Sequence, residues 1–313
     1  MAFADSSGTR LAFVAESTDG TTPASPSFQN LRFTGESLNY NKETVSSEEI
    51  RADRNVSDSI DVGYAVAGDI EGELSYGTLD PLLEGLFQST WSSNVLKNGT
   101  TKKFFTFEKT FEQGATDSYM RFTGCQIGAM TLNINARERV TYTMSVMGRG
   151  HTSSAAALSG ATYTAANTNA ISAASNDVSA LTLTGISPAP TVMSLTVNIE
   201  NNLREQTAVG TQGLVGIGSG RCVVTGSISI YFENLAAYDA FVNHTDVGIS
   251  WTVGSVTNEK YTINIPKAKF TTGTVPTPGN DQDIMLDFEW QGLYSTASSP
   301  PNNATIILTR AVA

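Results

Sequence analysis

The chain has 313 residues, of which 40% are hydrophobic and only 16% charged, and its formal net charge is −11. That length accommodates two cores. The acidity excludes a protein that grips nucleic acid, because phosphate contacts need clustered Lys and Arg. Two histidines and two cysteines leave little material for catalysis or metal binding.

Residues 1–30 read as an N-terminal arm with one strand-like run, Arg10-Leu11-Ala12-Phe13-Val14-Ala15. The first residues lack a positive n-region and an apolar h-region, and no stretch approaches roughly 18 apolar residues. Synthesis in the cytoplasm, with no secretion signal and no spanning helix, is the expectation. Residues 31–150 read as a first domain that opens with a strand over 31–40. Asn41 to Gly63 is polar and charged without an apolar period, and is expected to be a long loop between neighbouring strands. Loops of that length in a compact domain usually carry function.

Val66 to Leu74 then alternates apolar and polar residues. Alternation buries one face of a strand and leaves the other polar. Val66, Ile70 and Leu74 point inward, so Asp69, Glu71 and Glu73 share the opposite face. Leu79 to Phe87 reads as a short helix. Strands follow at Lys103–Phe111, Tyr119–Ile127, Met130–Ala136 and Arg139–Gly148, with a turn at Asn135-Ala136-Arg137-Glu138.

Residues 151–180 contain 23 Ala, Ser, Thr or Asn out of 30, which marks a linker, extended to 190 by Pro188-Ala189-Pro190. Leu181-Thr182-Leu183-Thr184 is a candidate strand before the second domain, 191–313. That domain has a strand at Ser194–Ile199, a glycine-rich loop at Glu200–Arg221, and a strand at Val224–Phe232. A short helix over Leu235–Val242 and strands at Lys260–Phe270 and Asp283–Leu293 complete it. Ile284, Leu286, Phe288 and Trp290 point inward, leaving Asp283, Asp287 and Glu289 on the polar face.

The two domains follow one plan. Gly68 and Gly226 hold the same place in alternating strands, 158 residues apart, and each strand leads into a short helix. Val140, Tyr142, Met144 and Val146, closed by Gly148, match Ile284, Leu286, Phe288 and Trp290, closed by Gly292. The expected fold is mainly β: two tandem antiparallel β-sandwich or split-barrel units, each with a flanking helix. Units of this size are too large for solenoid repeats.

Catalytic constellations are weak. His151 falls in the linker, and His244 lies in the polar run Asn243-His244-Thr245-Asp246 without a nucleophile elbow. Gly216-x-Gly218-x-Gly220 lacks the Lys-Ser/Thr of a phosphate loop and leads into a strand. Glu48-Glu49 lies in a loop unsuited to acid–base work. Lys102-Lys103 is an isolated basic pair. Cys125 and Cys222 read as buried free thiols, one per half, without metal-ligand spacing. No enzyme activity, cofactor or metal is expected.

Three stretches together carry a family resemblance: Gly68 to Phe87, the charged run Glu48-Glu49-Ile50-Arg51-Ala52-Asp53-Arg54, and Asn201-Asn202-Leu203-Arg204 with Gly216-Ile217-Gly218-Ser219-Gly220-Arg221. They resemble the major tail tube proteins of long, non-contractile-tailed (siphovirus-type) bacteriophages. The resemblance implies a virion protein assembled in the host cell cytoplasm. It implies rings that stack into a hollow tube through which viral DNA passes without specific binding. Its implied partners are further copies of itself, a tape measure protein, a tail terminator and a distal tail protein. With the fold doubled, three chains would make a pseudo-hexameric ring. Asp69, Glu71, Glu73, Asp287 and Glu289 are the candidate lumen-facing acids. Glu48, Glu49, Arg51, Asp53, Arg54, Arg204 and Arg221 are the candidate inter-ring residues. The alternative is a virion decoration or carbohydrate-binding β-sandwich module, which would present an exposed aromatic platform.

Overall fold

Alternating side chains favour strands over helices, frequent glycine suits the turns between them, and strands are what form. The computed structural model describes residues 3–114, 116–296 and 303–312. In the first half the elements are β1 (Thr9–Glu16), β2 (Ser27–Asn30), β3 (Gly35–Glu36), β4 (Asn39–Ser46), β5 (Ser59–Glu73) and α1 (Asp80–Phe87). They continue with β6 (Val95–Lys97), β7 (Phe104–Phe111), β8 (Ser118–Asn135), β9 (Thr141–Gly148), β10 (Gly150–Ser154) and β11 (Thr162–Thr164). The second half has β12 (Val178–Thr184), β13 (Val192–Glu200), β14 (Arg204–Gln206), β15 (Gly216–Gly218), β16 (Val223–Tyr231) and α2 (Ala236–Val242). It closes with β17 (Val247–Val253), β18 (Tyr261–Thr274), β19 (Met285–Gly292) and β20 (Ile307–Arg310).

One antiparallel run crosses the molecule in the order β4–β5–β9–β8–β13–β16–β19–β18. β3 prolongs β4 along β5 in the same register. β8 leaves this run at its N-terminal end, where it pairs with β7 and β10, and β1 covers β7. β18 does likewise in the second half. It pairs with β17 and β20, and β12 covers β17. The registers also correspond: Gly68 faces Val146 and Gly226 faces Trp290. β8 carries a bulge between Ile127 and Ala129, and β18 one between Phe270 and Thr272.

The halves share a core. Seven residue pairs join β8 to β13, and β6 of the first half pairs with the C-terminal β20. An apolar cavity of about 50 Å³ is lined from both sides, by Leu83, Met130, Val197 and Trp251 among others. Asp80 at the start of α1 accepts hydrogen bonds from Tyr261 and, at 2.5 Å, from Arg310. Phe270 stacks on Phe288 at 4.4 Å, and Phe13 meets Phe105 edge-on at 6.0 Å. Each such side chain, fully buried, contributes roughly 1.5–3 kcal/mol.

The structure redraws several expected boundaries. Nearly half of Asn41–Gly63 is strand rather than loop: β4 reaches Ser46 and β5 starts at Ser59, so only 47–58 lies outside strands. Seven of the eight β4 residues are exposed, Tyr40 being the exception, and a strand with neither face buried carries no alternation. Within the stretch read as an arm, Thr9–Glu16 pairs along its whole length with β7. Within the stretch read as a linker, β10 and β11 are paired, Ile171 and Ala173 bridge to Ser75 and Arg139, and β12 covers β17. The two strands expected at 119–127 and 130–136 are one strand, β8, with a bulge at Gly128. β17 had no counterpart among the expected strands. Ile284, expected inside, is exposed, while Leu286, Phe288 and Trp290 are buried.

Candidate functional site

The polar face of the long sheet is built by strand registry. Partners directly opposite in an antiparallel pair share a face. One rung therefore runs Glu73, Thr141, Asn133, Thr196, Ser227, Glu289. The next runs Glu71, Thr143, Thr131, Asn198, Thr225, Gln291. Asp69 and Asp287 follow by parity. The structure thus brings Asp69, Glu71, Glu73, Asp287 and Glu289 onto one face of one continuous sheet. Between the acids that face carries Ser, Thr and Asn. Arg139 lies 3.1 Å from Glu73, and Lys269, opposite Gln291, lies 3.5 Å from Asp246.

The acids sit in a pattern that position-by-position comparison of the halves misses. Asp69 faces Ser145 and Glu71 faces Thr143; in the second half Glu289 faces Ser227 and Asp287 faces Ser229. Each equivalent pair is one acid opposite one hydroxyl, but the acid is on β5 in one half and on β19, the counterpart of β9, in the other. Ser145 Oγ donates to Asp69 Oδ1 at 2.6 Å, and Ser229 Oγ to Asp287 Oδ1 at 2.6 Å. The hydroxyl partners were overlooked in the sequence, although Thr141, Thr143 and Ser145 alternate as clearly as the acids do.

β4 and β5 form a long hairpin beyond that face, closed at its neck by Ser47 N–H donating to the Asp58 carbonyl at 2.9 Å. Its tip holds Glu48, Glu49, Arg51, Asp53 and Arg54, all exposed. Arg51 grips Asp53 through two hydrogen bonds, of 2.9 and 2.8 Å, and lies 3.7 Å from Glu49. The Arg51 guanidinium first, and hydrogen bonds from Asn55 second, hold the Asp53 carboxyl down at about 2. Apolar side chains accompany these charges: Ile50 is 100% exposed and Val56 71%. A charged tip with unburied Ile and Val has the makeup of a contact surface.

The glycine-rich loop of the second half is tied down rather than free. β14 and β15 pair with each other, and Leu214 and Ile217 are buried. Lys102 Nζ donates to the Ile217 carbonyl at 2.6 Å, and Arg149 Nε to that of Leu214 at 3.2 Å. The Gln212 carbonyl accepts from Tyr64 N–H at 3.1 Å, which seats the loop at the base of the hairpin. The loop passes close to the Tyr64 ring at Gly213, where a Cβ would lie 2.5 Å from the Tyr64 hydroxyl and the ring would have to shift. Arg204 stands exposed on β14, and Arg221 lies at the loop's return, its carbonyl accepting from Asn202 Nδ2 at 2.8 Å.

The remaining reactive groups are in structural settings. His151 lies in β10 between Tyr40 and Phe122, with ring centroids 5.3 and 5.2 Å away, and burial lowers its pKa. Burial raises the Cys125 thiol well above its ordinary value and the Cys222 thiol to about 11. Among the described residues no group of three or more His, Cys, Asp or Glu could hold a metal. Among the described residues no helix is long and apolar enough to cross a membrane.

A mainly β sandwich that spreads its polar chemistry over a sheet face and a projecting hairpin is built as a structural protein. A sequence profile of the phage tail tube protein family matches residues 6–292, and the chain belongs to that family. Comparison with curated proteins returns no match. The protein is therefore a structural component of a bacteriophage tail, of a kind that self-assembles into a tube.

Proposed function

We propose that three chains close into a ring of pseudo-six-fold symmetry and that rings stack into a hollow tail tube for DNA delivery. In this reading 31–150 and 191–313 are two copies of one tube domain, two wedges of the ring carried by one chain. The recurrence of strand pairings in one order, with matching bulges, supports it above all. The polar face lines the lumen. Asp69, Glu71, Glu73, Asp287 and Glu289 repel phosphates there, so DNA slides rather than adheres. The hairpin tip with Glu48, Glu49, Arg51, Asp53 and Arg54 reaches the adjacent ring, and Arg204 and Arg221 lie on the second wedge's counterpart loop. Assembly takes place in the host cytoplasm, and a tape measure protein, a tail terminator and a distal tail protein bound the tube. A decoration or carbohydrate-binding role loses its expected platform, because Trp251 and Trp290 are buried and Trp91 is half-buried under Arg310. Negative-stain images of purified protein test the reading. Hollow tubes whose rings contain three chains are expected; rings of six chains, or dispersed particles under assembly conditions, would overturn it.

A further inference from the structure

The long sheet ends in two edges that have no partner among the described residues. β3 and β4 pair with β5 on one side only. β18 loses its neighbour on the β17 side after Ala268, which faces Val247, the first residue of β17. Residues 269–274 therefore present a free edge. Unpaired edges recruit further strands.

The chain contains a template for what covers them. The first-half counterpart of β18 is β8, and β8 is covered by β13: Ala129 faces Glu200, Met130 faces Ile199 and Thr131 faces Asn198. β13 in turn is the counterpart of β3–β4. The bulges fix the correspondence along β18: beyond them Ala129 faces Ser145 and Thr272 faces Glu289. Along β4, Asn39 faces Ala67 on β5 as Asn198 faces Thr225 on β16. Transferring the template is then arithmetic. Resting on the ring reading above, we propose that residues 272–274 of one copy pair antiparallel with residues 39–41 of the next, Thr274 facing Asn39 and Thr272 facing Asn41.

Three observations agree with this register. The template pair Thr131–Asn198 recurs with the same residue types as Thr274–Asn39. Thr272 and Thr274 share the polar face with Glu289 and Asp287, and Asn39 and Asn41 share it with the Asp69 side of β5, so the face continues unbroken. A slip of one residue would put polar against apolar. Between them Tyr40 falls opposite Gly273, where a Cβ would lie 2.7 Å from the Phe288 ring; the large side chain meets the residue that has none. Pro276 lacks an N–H and limits the pairing to this short stretch. The contact is heterologous, the kind that closes rings.

The template also says which positions can be cross-linked. Asn201 N–H donates to the Gly128 carbonyl at 2.8 Å, so the adjacent pair 200/129 is of the close, non-hydrogen-bonded type, as is 198/131. Their counterparts 41/272 and 39/274 would have Cα atoms about 4.5 Å apart, within disulfide range. The diagonal combinations 41/274 and 39/272 would be about 7–8 Å apart. In a Cys222→Ser background, the double variants Asn41→Cys with Thr272→Cys and Asn39→Cys with Thr274→Cys are oxidised after assembly. The variants with the partners exchanged serve as controls. On non-reducing gels the matched pairs should give covalent oligomers on the order of ten-fold more than the exchanged pairs. Matched and exchanged sets contain the same four substitutions, all at exposed positions, so a folding defect, read by circular dichroism of the reduced proteins, strikes both alike. Equal or reversed yields in variants that still form rings overturn the pairing and leave the ring reading standing. Unsubstituted protein that forms no rings overturns both.

Discussion

Gly68 and Gly226 are required by what lies opposite them. A Cβ at Gly226 would fall 2.0 Å from the Thr196 carbonyl and 2.4 Å from the Trp290 ring; one at Gly68 would fall 2.4 Å from the Leu38 backbone. Both obstacles are backbone or a buried indole, so neither yields cheaply. Gly226→Ala is expected to lower stability by about 3 kcal/mol or more through overpacking, read as a reduced urea midpoint at unchanged slope. Glu108 makes a different demand. It is fully buried, pairs with Arg121 at 2.6 Å and accepts from the Tyr163 hydroxyl at 2.5 Å. Burial of the Tyr163 hydroxyl first, and its hydrogen bond to the Glu108 carboxylate and that group's charge second, raise the Tyr163 pKa. Removing it strands a buried guanidinium, and Glu108→Ala should cost about 3–5 kcal/mol in the same measurement. The glycines were visible in the sequence by their equal placement. Glu108 was not, since Phe104 to Phe111 reads as a half-exposed strand until Ala156 and Tyr163 are folded over it.

Elements were legible in proportion to how asymmetrically they are buried. β5, β9, β16 and β19 each bury one face, and alternation marked that face in the sequence. α1 and α2 lie within two residues of their expected spans. β4 escaped because it is exposed on both faces, and β11 because three residues in a parallel pairing leave no periodic trace; β17 buries Val247, Ile249, Trp251 and Val253 between Gly, Ser and Thr, a clear alternation that was overlooked. The polar face was legible as two separate acidic strands; that both belong to one sheet depends on the β8–β13 junction, to which local pattern is blind. The corrected hairpin sharpens one prediction. Deleting all of 41–63 would remove paired strand, whereas replacing 47–58 with a two-residue turn spares it. That variant should retain its β circular dichroism and unfolding midpoint within about 0.5 kcal/mol while losing tube formation in negative stain. Normal tubes would remove the tip from ring stacking.

At the scale of the whole molecule, the shared core makes the halves one cooperative unit, and its stability should depend on alkaline pH. Burial raises Tyr142 from 10.0 to about 12 and Cys222 from 9.0 to about 11. Raised acids favour the folded, protonated state. Their contribution is complete below about pH 9 and is lost as pH climbs through the folded values toward 12, about 2–3 kcal/mol from each. Urea midpoints should hold to about pH 8 and then fall; a flat profile to pH 11 would contradict the burial of these groups. The polar face makes a second prediction. Changing Asp69, Glu71, Asp287 and Glu289 to Lys should leave tubes able to form but give them affinity for DNA, falling with log salt at about −0.9 per phosphate neutralised.

The exchange of acid and hydroxyl across the strands bears on how such a face can vary. Asp69–Ser145 and Glu289–Ser227 hold the same charge at equivalent rungs although the carboxylate has changed strands. A lateral move of one strand, about 4.8 Å, is less than a Debye length of about 8 Å, so an ion at a distance from the face meets nearly the same potential either way. Two neighbouring substitutions that trade places are then electrostatically silent. The double change Ser229→Asp with Asp287→Ser should be as well tolerated as the parent sequence. On the two-copy reading proposed above, drift of this kind would erase residue identity between the halves while leaving the charge of these two rungs untouched.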